Sequence, residues 1–105
     1  MKHQYNNGFD PIKVLAEGST RLREDFKQNH IAVVHVSARR PGSLLTQEFP
    51  VAYLLRNDED HQIRIGVCVV KPPSVFRMAF GWGSRSVWQV IAIRRDAIAE
   101  LRRLD

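Results

Sequence analysis

The side chains of this chain best suited to recognising another molecule are its arginines. Twelve of the sixteen basic residues are arginine, whose planar guanidinium pairs bidentately with phosphate or a base edge and stacks on rings. No aspartate or glutamate occurs from His61 through Arg95, while Arg64, Lys71, Arg77, Arg85, Arg94 and Arg95 all fall in that interval. Arg39 and Arg40 stand together just before a Pro-Gly turn, and Trp82 sits between two glycines near Arg77 and Arg85. Aromatic rings beside such arginines stack on unpaired bases, at about 1–3 kcal/mol each. Arg39, Arg40, Arg77, Trp82, Arg85, Arg94 and Arg95 are therefore the candidate nucleic-acid-binding residues. The structural alternative is that Phe76, Phe80 and Trp88 belong to the core, and that Arg102-Arg103 is only the solvated, dipole-favourable end of a helix.

The charge is uneven along the chain. The net formal charge is +5, and residues 61–105 carry eight basic against three acidic side chains. Such asymmetry points to an anionic partner.

Catalytic chemistry finds less support. His3, His30, His35 and His61 fall one each in tail, helix end, strand and loop, with neither an HExxH motif nor a Cys-His cluster, so no metal site and no cofactor are expected. No GxGxxG, P-loop or GxSxG motif occurs. His35, between Val34 and Val36, reads as a hydrogen-bonded strand residue. Asp58-Glu59-Asp60 reads as a solvated loop rather than a cation site. Cys68, alone in the chain and inside an apolar run, reads as a small buried thiol. An enzyme, such as a small ribonuclease using His35 or His61, is the least favoured class, and no catalytic residue is assigned.

The elements that must position these residues follow from periodicity. Residues 1–8 are polar and end in Asn-Asn-Gly, which reads as a flexible tail ahead of a single domain at 9–105. Asp10-Pro11 looks like a helix start, and Ile12, Leu15, Ala16, Ser19, Leu22 and Phe26 line one face of a helix over 10–30, weakened by Gly18. Strands are predicted over 31–38, 44–56 and 62–71, the last with Ile63, Ile65, Val67 and Val69 on one face. Pro72-Pro73 ends the third. Residues 75–80 alternate as a strand, Gly81 to Ser84 make a turn, and 86–93 form a further strand. Asp96 then caps a short helix carrying Ile98, Leu101 and Leu104. One long helix over 87–104 is the competing reading.

The predicted fold class is α+β: an N-terminal helix, an antiparallel meander of about five strands and a short C-terminal helix. That element order also suits a small barrel of the Sm-like kind, but the glycine and aspartate pattern such proteins carry is absent, and no family is assigned. No apolar run approaches the roughly 20 residues that cross a bilayer, so a cytoplasmic, non-membrane chain is expected. Function is expected to be non-enzymatic nucleic-acid binding by an accessory or regulatory module, with single-stranded nucleic acid or RNA favoured over duplex DNA. The alternative is a small protein-interaction module, and either reading accommodates a homodimer.

Overall fold

The computed structural model describes residues 10–58, 61–79, 81 and 83–105. Six strands form one antiparallel sheet: β1 (Ile12–Gly18), β2 (Ala32–Ala38), β3 (Gln47–Asn57), β4 (Gln62–Lys71), β5 (Arg85–Arg94) and β6 (Ile98–Arg103). Their order across the sheet is β1-β5-β4-β3-β2-β6. The meander β2-β3-β4-β5 occupies the centre, and the first and last strands are added to its two sides. Helix α1 (Thr20–Asn29) lies between β1 and β2, and the short helix α2 (Val75–Ala79) lies between β4 and β5. The α+β class is observed, with sheet dominant. Residues 1–8, read above as a tail, lie outside the described residues.

Each strand's alternation separates an inner face from an outer one. Ile63, Ile65 and Val67 on β4 stand opposite Ile93, Ile91 and Gln89 on β5. Together with Val34, Val36, Phe49, Ala52, Leu54 and Ile12 the apolar members of these rows form the core, with Val36, Ile63, Ile65 and Ile93 fully buried. Register shifts occur in the β1/β5, β2/β3, β2/β6 and β3/β4 ladders, while β4 and β5 pair over ten consecutive residues without one. Bulges bend and twist the strands that carry them, and here they curl the sheet around its inner face. Arg40, two residues beyond β2, accordingly reaches the carbonyl of Ile12 of β1 through Nη2, at 3.2 Å, although β1 and β2 are not neighbours in the sheet.

Helix α1 packs on the outer face. A ten-residue helix is marginal by itself, and its anchor is Phe26, buried against Tyr53 and Trp88 with ring centroids 6.2 Å and 5.9 Å away. His30 ends the helix: its Nδ1–H donates to the carbonyl of Phe26 at 2.9 Å.

Three predicted elements differ. The helix over 10–30 is split, because Ile12 and Val14 find partners in Ile93 and Ile91 of β5. Asp10 Oδ1 accepts the N–H of Ile12 at 3.1 Å, the bond expected of a helix cap, but it leads into a strand. Gly18, the weak point of the helical reading, is where strand gives way to helix. Residues 75–79 are helix rather than strand, since β4 and β5, which they connect, are already paired along their whole length. The C-terminal helix is absent: a 3-10 turn (Arg95–Ala97) leads into β6, which fills the edge of β2. Ile98, Leu101 and Leu104 keep a helical spacing, but Ile98 and Leu101 sit on β6 and Leu104 follows its end. The strand over 86–93 is observed as part of β5, and the one over 44–56 begins at Gln47.

Candidate nucleic-acid interface

Four of the arginines singled out in the sequence come together at one end of the sheet. Arg39 and Arg40 follow β2, Arg94 ends β5, and Arg95 opens the 3-10 turn. Backbone bonds knit these segments: Arg94 N–H donates to the carbonyl of Pro11, Arg95 N–H to that of His61, and Arg39 N–H to that of Ala97, all within 2.9 Å. Two carboxylates are interleaved among them. Arg40 Nε donates to Asp10 Oδ1 at 3.0 Å, and Arg94 grips Asp96 through Nε and Nη2 at 3.0 and 2.9 Å. The Asp96 hydrogen bond holds the Arg94 guanidinium above its usual range. Arg95 Nε donates to the carbonyl of Asp58. His61, Arg94, Arg95 and Asp96 line a cleft of about 280 Å³.

Arg85 does not join them. It begins β5 while Arg94 ends it, so the two lie on the order of 30 Å apart along an extended strand. Arg85 instead stands opposite Lys71, and Glu17 is near enough to feel both charges, accepting from Lys71 Nζ at 2.8 Å and from Gln89 Nε2 at 2.7 Å. Those two bonds hold the Glu17 carboxyl below its ordinary value. Trp82 and the Arg77 side chain lie outside the described residues. Trp88 is half-buried in the aromatic cluster beneath α1.

The sheet register reveals basic positions that the sequence reading did not select. Arg56 of β3 stands directly opposite Arg64 of β4, Arg64 stands opposite Ala92 of β5, and Ala92 stands opposite Lys13 of β1. Gly66, two residues along β4 from Arg64, faces Phe26 of α1. The row Arg56–Arg64–Lys13 is therefore on the outer face with α1. Opposed arginines on neighbouring strands have Cα atoms about 5 Å apart and repel. Lys71 and Arg85 have Glu17 to offset that repulsion, whereas among the described residues no carboxylate pairs with Arg56 or Arg64. Arg64 was visible in the sequence as the outward residue between Ile63 and Ile65. Its alignment with Arg56 and Lys13 follows only from the register, because local spacing places Lys13 on a helix.

A second polar group occupies the outer face of β2, β3 and β6. Glu48 is held by Ser37, which donates to Oε1, and by Thr46, which donates to Oε2 at 2.8 Å, and it lies 3.4 Å from His35 Nε2. These hydroxyl bonds keep its carboxyl below the ordinary value. Ser37 is buried, donates to a carboxylate and not to the imidazole, and is no exposed nucleophile. His35 is thus a bonded strand residue. Cys68 is not the buried thiol expected: it faces out of β4 and is exposed. Among the described residues, no cluster of three His, Cys, Asp or Glu is placed to hold a metal ion, and no helix is long and apolar enough to cross a membrane.

Comparison with protein-family models, with curated proteins and with solved structures finds no match to this chain.

Proposed function

We propose that the chain is a non-enzymatic accessory module, acting in the cytoplasm, that binds single-stranded nucleic acid, RNA foremost. The outer-face row Arg56–Arg64–Lys13 and the adjoining end formed by Arg39, Arg40, Arg94 and Arg95 make the phosphate-binding surface. The observation that carries this reading is the directly opposed Arg56/Arg64 pair, which has no carboxylate bound to it among the described residues. Two cations held side by side without a counter-charge are relieved by an anion, and arginine offers phosphate its bidentate fork. Phosphate contacts release counterions and supply affinity without sequence readout. None of these basic residues lies on helix α1, so the surface offers no recognition helix to a duplex groove, which favours a single strand.

The test is fluorescence anisotropy with labelled single-stranded RNA, single-stranded DNA and duplex DNA at low and near-physiological salt. Micromolar or tighter binding that favours the single strands and weakens at least tenfold in Arg56→Ala/Arg64→Ala supports the reading. Absence of binding near physiological salt, or binding indifferent to that substitution, overturns it.

One observation favours a protein partner as the second reading. Pro50, Val51, Cys68 and Val70 are exposed on β3 and β4, and Val75, Phe76 and Met78 are exposed on α2. Capture of a partner that survives high salt and is lost on Val51→Asp would establish that reading in place of the first.

A further inference from the structure

Strand β6 pairs with β2 along one side, and among the described residues no strand pairs with the other. The N–H of Leu104 donates to the carbonyl of Val33 at 2.8 Å. Bonding direction alternates residue by residue in an antiparallel ladder. Arg102 and Glu100, opposite His35 and Ser37, therefore turn their backbone groups toward β2. The N–H and C=O of Leu101 and Arg103 point outward, along an open edge. Such an edge is a template for another strand. Leu101 and Leu104 beside it keep 39% and 43% of their surface exposed.

We propose that this edge joins two copies of the chain, antiparallel about a two-fold axis through Leu101. The charges select that register. An isologous pairing must match outward-facing residues with outward-facing residues, which restricts its centre to a residue rather than a peptide link. Centred on Glu100, it opposes glutamate to glutamate. Centred on Arg102, it opposes arginine to arginine. Centred on Leu101, it places Glu100 opposite Arg102 of the partner subunit, twice over, and sets Leu101 against Leu101 of the partner subunit. Glu100 and Arg102 already share the outer face of β6, where Arg102 Nε lies 3.3 Å from Glu100 Oε2. The charges that guard the edge against other strands thus complement a second copy in this one register, and the two sheets become continuous across β6.

Sedimentation velocity and native mass spectrometry of the intact chain, from low to high micromolar protein, test the proposal. A dimer is expected. Arg102→Glu, at a side chain 57% exposed, opposes like charges on both sides of the axis and raises the dimer dissociation constant about tenfold. The charge-swapped variant Glu100→Arg/Arg102→Glu recreates the complementary pairs and restores the dimer. Circular dichroism melts establish that the variants remain folded, and Arg102→Ala, with a smaller loss of dimer, serves if the glutamate variant does not. A monomer at every concentration, a dimer indifferent to these changes, or assemblies that lengthen with concentration by joining β6 to the open side of β1 would each overturn the proposal.

Discussion

Phe26 and Gly66 are matched to each other: an ideal Cβ on Gly66 would lie 2.5 Å from Phe26 Cδ2 and 2.6 Å from Cε2. The ring occupies the space of the missing side chain at the middle of β4, and this contact seats α1 on the sheet. Gly66→Ala should lower unfolding free energy by about 1–3 kcal/mol through overpacking. Phe26→Ala should cost about 3–5 kcal/mol through the cavity it leaves. In urea titrations Gly66→Ala/Phe26→Leu should be more stable than the sum of its single changes implies, because the smaller side chain makes room for the new methyl. Strict additivity would show that the two residues do not share one space.

The exposure of Cys68 makes a chemical prediction. It lines an apolar pocket of about 360 Å³ with Pro50, Val51, Tyr53 and Trp88. A neutral thiol-specific reagent should titrate one thiol in the native chain without denaturant, leaving the melting temperature nearly unchanged. Reaction only after unfolding would place the sulfur inside.

Acid should destabilise the fold through identified carboxylates. Hydrogen bonds from Ser37 and Thr46 hold Glu48 below its ordinary value, those from Lys71 and Gln89 do so for Glu17, and the bond from Arg103 does so for Asp105. At Asp10, partial burial raises the value, but the bonds from Arg40 and the Ile12 N–H, together with nearby positive charge, outweigh it. A carboxylate depressed in the folded state binds its proton more readily when unfolded, so its stabilisation is present above about pH 4.5 and is lost as the pH falls through the folded values. Denaturation titrations should therefore show a plateau near neutrality and a decline below about pH 4. Glu48→Gln should shrink the stability difference between neutral and acid pH, and an unchanged difference would remove Glu48 from this account.

The salt dependence of nucleic-acid binding should distinguish the two ends of the sheet. Replacing Arg56 and Arg64 with alanine should flatten the slope of log affinity against log salt by about 1.4 for a single strand, two phosphate contacts being lost. Arg85→Ala, at the Glu17 end, should leave the slope unaltered. A larger effect from Arg85 would move the binding surface to the opposite end.

Periodicity of two and its interruptions made β4 and much of β5 legible: Ile63, Ile65 and Val67 alternate with Arg64 and Gly66, and Pro72-Pro73 closes the run. The same sequence, taken residue by residue, misassigned β1 and β6. Ile12, Leu15 and Ala16, like Ile98, Leu101 and Leu104, sit at spacings that satisfy a helix. Which element forms there depends on edges presented by β5 and β2, residues far away in the chain. The concentration of arginine and the acid-free stretch were likewise fixed by composition, and four of the seven proposed contact residues, Arg39, Arg40, Arg94 and Arg95, do meet at one end. The separation of Arg85 from Arg94 follows simply from strand length. The opposition of Arg56 to Arg64 follows from the bulge between Leu54 and Arg56 that sets the β3/β4 register. Local pattern determines which way a side chain faces, because alternation is built into each strand's backbone. Which charges become neighbours is decided by pairing across strands, and only the tertiary structure decides that.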